Sequence, residues 1–483
     1  MTRAHLSIVT GLLVAALSTP AAAQQPPQAP DRTHPPAAGP APTLHVPPVE
    51  RRTLSNGLPV WIVESHDVPV VQVELAVRAG SAADPARKFG LASLTADMLD
   101  EGAGTRSALE LADAVDFLGA SLNTDSSFDA STVTLHVPAA RLADALPLMA
   151  DVVLHPTFPE KELQRIREED LTQLIQAQDD PEALVRIAFP RLVYGAAHRY
   201  GTPSIGTAAS LHGFTVDDLK QFHAAMYRPS NAVLLVVGDV TAATALPLVE
   251  QAFGAWPKAS APEPPALPSA PQLRERHVYL IDKPGAAQSQ IQIGWIGVPR
   301  STPDYFALRV LNTILGGAFT SRLNTNLREE HGYSYGAGSA FDMRVGAGPF
   351  YAAAGVQTDK TAEALTEFFN ELRRIHDPIG DAELKKAKNY LALLLPRSFE
   401  TTRSLASSLA QIFVYELPED FYATYAARVE AVTSADLKRA ADQYIQPDKF
   451  AVVVVGDRQK IEAGIKALNL GPVTLVTPDE VMK

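Results

Sequence analysis

The side chains that hold zinc or attack a carbonyl are scarce in this chain. It has no cysteine, and none of its 12 histidines stands three or four positions from another. Disulfides, thiolate zinc sites and cysteine nucleophiles are excluded. So is a pair of imidazoles on one helix face, which needs one of those spacings. Gly316-Gly317 is not followed by Gly-Lys-Ser/Thr and reads as a tight turn or flexible joint, not a phosphate loop. No serine triad is expected. Asp97, Asp100, Glu168 and Glu169 are the acidic residues from which a metal site could be built. The favoured expectation is plainer: Ser93, Asp97 and Asp100 form a solvated polar helix face opposite Leu91, Leu94 and Met98.

The elements behind these residues come in two sets. Gly238-Asp239 closes one apolar run and Gly456-Asp457 another, 218 residues later. Val60 in LPVWIVE and Val278 in HVYLID, and Thr215 in TVDDLKQF and Thr433 in TSADLKRA, show the same offset. The chain is a duplicated domain. Period-2 alternation in VPVVQVELAVRAG and QSQIQIGWIGV predicts half-buried strands. NAVLLVVGDV and FAVVVVGD predict central strands. Thr215 and Thr433 read as helix N-caps, with Asp218 and Asp436 three residues on. Glu160 to Gln178 predicts a long helix with Leu163, Ile166, Leu171 and Leu174 near one face. The fold class is α+β: two duplicated lobes, each a mixed or antiparallel sheet packed with helices, over 45–258 and 273–480. A Pro-rich linker, 259–272, joins them.

Arg3, the apolar run Ile8 to Leu17 and Ala21 to Ala23 read as a cleavable signal peptide, residues 1–23. The run is too short to span a bilayer, and no later stretch reaches the roughly 20 apolar residues that a membrane helix needs. Residues 24–44, rich in Pro and Ala, read as a disordered leader. The expected location is periplasmic or secreted. A net charge of −12 speaks against nucleic-acid binding.

Several segments together resemble the insulinase (pitrilysin) peptidases. They are RTLSNGLPVWIVES, VRAGSAADPARKFGLASLTADMLDEGAGTRS, AQDDPEALV, YGTPSIGT, YRPSNAVLLVVGD and GGAFTSRLNTNLREEHGYSYGAGS. The resemblance covers nearly all of the chain after the leader and implies two lobes of the LuxS/MPP-like metallopeptidase type. In that family a helix reading roughly G-L-A-H-x-x-E-H-M holds zinc. Here the run is Gly90-Leu91-Ala92-Ser93-Leu94-Thr95-Ala96-Asp97-Met98. Ser93 and Asp97 stand where the histidines belong, and Ala96 replaces the base. Gln173 falls at the third ligand position. A hydroxyl, a methyl, one carboxylate and an amide cannot hold zinc and deprotonate its water. No metal or cofactor is expected on this chain.

The resemblance also implies an Arg and, seven residues later, a Tyr in the C-terminal lobe that contact substrate near the scissile bond. Arg328 and Tyr335 match. Arg328 is expected near a helix C-terminus, with Gly332 in a left-handed cap and Tyr335 on the following strand. A guanidinium and a phenol so placed would stabilise a developing oxyanion. Tyr333 is expected to point the same way as Tyr335 and assist.

The leading expectation is a non-catalytic, substrate-binding subunit. It would supply the Arg/Tyr pair to an H-x-x-E-H-bearing partner that holds the zinc and cleaves peptides or unfolded protein. The alternatives are an autonomous metalloendopeptidase with an altered metal site, and a structural or peptide-binding protein with no protease role.

Overall fold

The computed structural model describes residues 46–263, 266–268 and 270–483. The expected signal peptide and leader lie outside the described residues. At the described positions of 259–272 the chain forms neither helix nor strand.

Alternating and continuous apolar runs become two six-stranded sheets. The first contains β1 (Glu50–Thr53), β2 (Pro59–Glu64), β3 (Val70–Val77), β6 (Ser121–Ser126), β7 (Ser131–Pro138) and β8 (Ala232–Gly238). Its order is β1-β2-β8-β3-β7-β6. A two-residue ribbon, β4 (Gly102–Ala103) and β5 (Arg106–Ser107), stands apart. The second sheet contains β9 (His277–Asp282), β10 (Gln288–Ile296), β11 (Ser334–Phe341), β12 (Pro349–Gln357), β13 (Ala451–Gly456) and β14 (Val473–Val476). Its order is β11-β12-β10-β13-β9-β14. Read from opposite ends, the two orders correspond: β2, β8, β3, β7 and β6 match β9, β13, β10, β12 and β11.

Both sheets are mixed. β2 runs parallel to β8, and β9 to β13, while the meanders β3-β7-β6 and β10-β12-β11 are antiparallel. The apolar runs β8 and β13 are buried at every position and lie inside their sheets. Parallel pairing in a sheet covered on both faces explains those uninterrupted runs. The far edges differ: β1 joins antiparallel, β14 parallel.

The caps are where the sequence places them. Thr215 and Asp218 form a reciprocal capping box, and Thr433 and Asp436 form its counterpart. The long helix spans Glu160–Asp179, with Leu163 and Leu174 buried.

Each repeat lends one helix to the other. Pro181–Tyr194, from the first repeat, lays Leu184, Val185, Ala188 and Phe189 on Ala451, Val453 and Val455 of the second sheet. Thr402–Val414, from the second repeat, lays Leu405, Ala406 and Leu409 in a core shared with Val63, Val233, Leu235 and Val237 of the first. The boundary of the repeat along the chain is thus not a boundary of packing.

Candidate functional site

The helix that carries the departed zinc positions is short, Leu91–Asp97, and is fixed from outside itself. Its N-cap Gly90 has φ of 104° and no side-chain cap. A Cβ at Gly90 would lie 2.4 Å from the Ile205 carbonyl oxygen. Asp84 supplies the missing cap: its carboxylate accepts from the backbone N–H of Gly90 and of Ala92, both at 2.7 Å. Arg199 pairs with Asp84 at 3.0 Å, and both side chains are almost fully buried. The segments KFGLAS and YGTPSIGT are therefore two halves of one packing unit.

Ser93 is 7% exposed and Ala96 fully buried, while Asp97 is half-buried. The expected solvated polar face is not found. The helix is covered on one side by β6 and β7 and on another by helix Val216–Met226, which leaves Ser93 little access to water.

Gln173 is exposed. The residue of helix Glu160–Asp179 that turns toward Asp97 is Asp170, 5% exposed. Leu163, Arg167, Asp170 and Leu174 form the buried stripe of that helix, and Gln173 lies off it. Burial, with the carboxylates of Asp170, Asp125, Asp100 and Glu101 nearby, pushes Asp97 up to about 7. Burial raises Asp170 and Asp100 to about 6. Arg165 occupies the rim, bonded to Glu101, Glu162 and Glu169 at 2.5, 2.8 and 2.9 Å. Among the described residues no group of three His, Asp or Glu stands close enough to hold a metal ion. The residues at the family's zinc position, one hydroxyl, one methyl and one crowded carboxylate, do not fit the metal.

In the second lobe the expected pair does come together. Arg328 sits at the C-terminal end of a π-helical turn, Thr325–Glu330. Gly332 follows with φ of 66°, and β11 begins at Ser334. The Arg328 guanidinium lies 5.0 Å from the Tyr335 ring centroid and 4.7 Å from that of Phe319. It also bonds Glu329 at 3.0 Å. Tyr335 and Phe319 are 86% and 63% exposed. A cation held between two exposed rings, one of them on an edge strand, has few internal obligations. Phe319 was not singled out from the sequence, although it lies inside one of the family segments.

Tyr333 does not share the orientation of Tyr335. It precedes β11, a bulge interrupts the register between Ser334 and Ala337, and its ring packs on the second-lobe core and stacks on His331. The expectation of no serine triad cannot rest on a missing Gly-x-Ser-x-Gly, because Gly332-Tyr333-Ser334-Tyr335-Gly336 matches that spacing. Ser334 is nonetheless buried and opens a strand, and its hydroxyl lies 2.6 Å from the Gly336 carbonyl and 2.8 Å from that of Gly355. A nucleophile elbow needs an exposed serine between strand and helix, with a base in reach.

Two family models match the chain. Insulinase (Peptidase family M16) covers residues 60–200, and the Peptidase M16 inactive domain covers 213–391. An uncharacterized zinc protease of Mycobacterium leprae is 29% identical over 362 residues, 75% of this chain and 81% of that protein. A non-peptidase homolog, YmxG of Helicobacter pylori, is 23% identical over 409 residues, 83% and 93% of the two chains. The solved peptidase M16 inactive domain from Pseudomonas fluorescens superposes with a TM-score of 0.78 at 27% identity, covering 84% of this chain and 98% of that one. With both halves matched in order, and both sheets built on one plan, the chain belongs to the insulinase (M16) peptidase family, as a member without the H-x-x-E-H motif.

Proposed function

We propose that this protein is the non-catalytic, substrate-binding subunit of a heteromeric zinc peptidase. The observation that carries the reading is the contrast within one chain. Arg328 and Tyr335 are held together, the phenol open to solvent and the guanidinium half-buried, while the described residues of the first lobe present no donor set for zinc. The name of the Helicobacter relative, a non-peptidase homolog, agrees with it.

In this reading a partner bearing H-x-x-E-H holds the zinc. This chain holds the peptide and presents the Arg328 guanidinium and the Tyr335 phenol to its carbonyl. An extended peptide added to the free edge of β11 would pass Tyr335. Charge-assisted hydrogen bonds from the two groups would then stabilise the oxyanion as it forms. In this reading the signal-like N-terminus would send the pair to the periplasm or outside the cell.

The test is peptide hydrolysis by the pure chain, alone and mixed with an H-x-x-E-H relative from the same cell, with zinc measured in each sample. The reading expects an inert, zinc-free single chain and an active mixture that loses activity on Arg328→Ala. Zinc and cleavage in the single chain would sink it.

A further inference from the structure

The second lobe has a cavity that the Arg/Tyr pair does not account for. It measures about 650 Å³, begins at Tyr335 and runs under helix Pro181–Tyr194 across β10 and β12. Its floor carries three amides on one strand: Gln288, exposed, Gln290, half-buried, and Gln292, 6% exposed. Opposite them on β12, Gln290 pairs with Gly355 and Gln292 with Ala353. These small residues leave the space open: the Gln290 amide lies across Gly355, its nitrogen 2.8 Å from where a Cβ would stand. Among the described residues the Gln290 and Gln292 side chains make no hydrogen bond, and neither amide is sealed from solvent, so both can bond what enters the groove.

The first lobe shows what a closed version looks like. The positions 218 residues earlier are Gln72 and Glu74, opposite His136 and Thr134. There Gln72 bonds His136 at 3.1 Å, and Glu74 faces Ser407 and Arg403 of the covering helix. The same place in the repeat is filled in one lobe and left open in the other.

We infer that this cavity is a second peptide-binding site, which grips an extended segment through its backbone amides. Three features select that ligand. Alternate residues of a strand project on one face roughly 6.8 Å apart, which is also the repeat of an extended peptide. Each Gln amide offers both donor and acceptor, as a peptide group requires. The charges at the rim are already paired, Arg186 with Glu182 at 2.8 Å and Arg344 with Asp342 at 2.5 Å, so the groove presents no net charge to select charged side chains. Recognition is therefore of the backbone and largely blind to sequence. Because the contacts come from side chains on a sheet face, they are separate from strand addition at an edge. The choice of a peptide rests on the function proposed above; the groove itself does not depend on a partner.

The experiment is fluorescence anisotropy of labelled ten-residue peptides with the purified full chain. Scrambled sequences should bind within about threefold of one another. N-methylation of alternate residues, which removes amide donors, should weaken binding at least tenfold. Gln292→Leu and Ala353→Leu should each do the same, with thermal unfolding run on both variants as a control. Equal binding of the N-methylated peptide, unchanged affinity in a folded Gln292→Leu or Ala353→Leu, or no binding by the parent at millimolar peptide would each overturn the inference. These readings use the single chain, whereas the complementing role is read from hydrolysis by the mixture, so either can fail alone.

Discussion

The two lobes answer the same sheet plan in opposite ways. In the first, the helix at the site is clamped by Asp84 and Arg199, its polar residues are buried, and the carboxylates around it crowd one another. In the second, Tyr335 on a bulged edge strand and Phe319 stand in solvent, with the half-buried Arg328 of a π-helical turn held between their rings. The difference teaches which lobe is built to meet something. The first lobe spends its polar groups on itself, through Gln72 on His136 and Arg165 on three carboxylates. The second leaves a guanidinium, a phenol and a row of amides turned outward or into an open groove.

The strongest way to break this comparison is to cross it. Phe189 belongs to the first repeat but is fully buried against the second sheet. Phe189→Ala should cost about 3–5 kcal/mol in urea unfolding. Tryptophan signals from both lobes, Trp61 and Trp256 in one and Trp295 in the other, should move together. Separate transitions would show lobes that fold independently.

Next in size, Arg328→Ala should lower kcat/KM of the active mixture about 100-fold, as loss of an oxyanion donor does. The purified chain should keep its melting temperature. An unchanged rate would leave the second lobe with no task at the scissile bond.

Glu74 sharpens the comparison at one register position, because its counterpart is the uncharged Gln292. Burial raises Glu74 to about 7, above its usual value of 4.5. The folded state therefore holds its proton more tightly than the unfolded state. The stability this brings is complete below about pH 4.5 and is lost as pH rises through 7. Glu74→Gln should match the parent near pH 4.5 and exceed it by roughly 2–3 kcal/mol at pH 8. Parallel stability curves against pH would show that this carboxyl does not titrate differently on folding.

The smallest effect is expected at Tyr333. Its ring is packed away from Tyr335, so Tyr333→Phe should change hydrolysis by the mixture less than about twofold. A tenfold loss would return it to the site.

Much of this was legible along the chain because it is local. Period-2 patterns gave the strands, Thr-x-x-Asp gave two capping boxes, and the constant offset gave the duplication. Arg328 and Tyr335 are paired by the family resemblance, and one turn and one glycine set the path between them. What failed depends on packing between distant segments. The family's ligand spacing leads to Gln173, but Leu163, Arg167 and Leu174 fix the rotation of its helix and bring Asp170 inward. Alternation put Tyr333 beside Tyr335, and one bulge undid it. The open groove depends on Gly355 and Ala353, some sixty residues from the glutamines they face, and no spacing within one strand reveals it.

The exchange of helices also says something about ancestry and about cutting the chain. A single repeat on its own would expose one sheet face lacking its cover and one helix lacking its sheet. Two such copies would satisfy each other by trading helices, as domain-swapped dimers do. The present chain has the form of that dimer joined end to end. Its halves, severed within residues 259–272, should remain associated, and when produced separately they should find each other before either becomes a folded body.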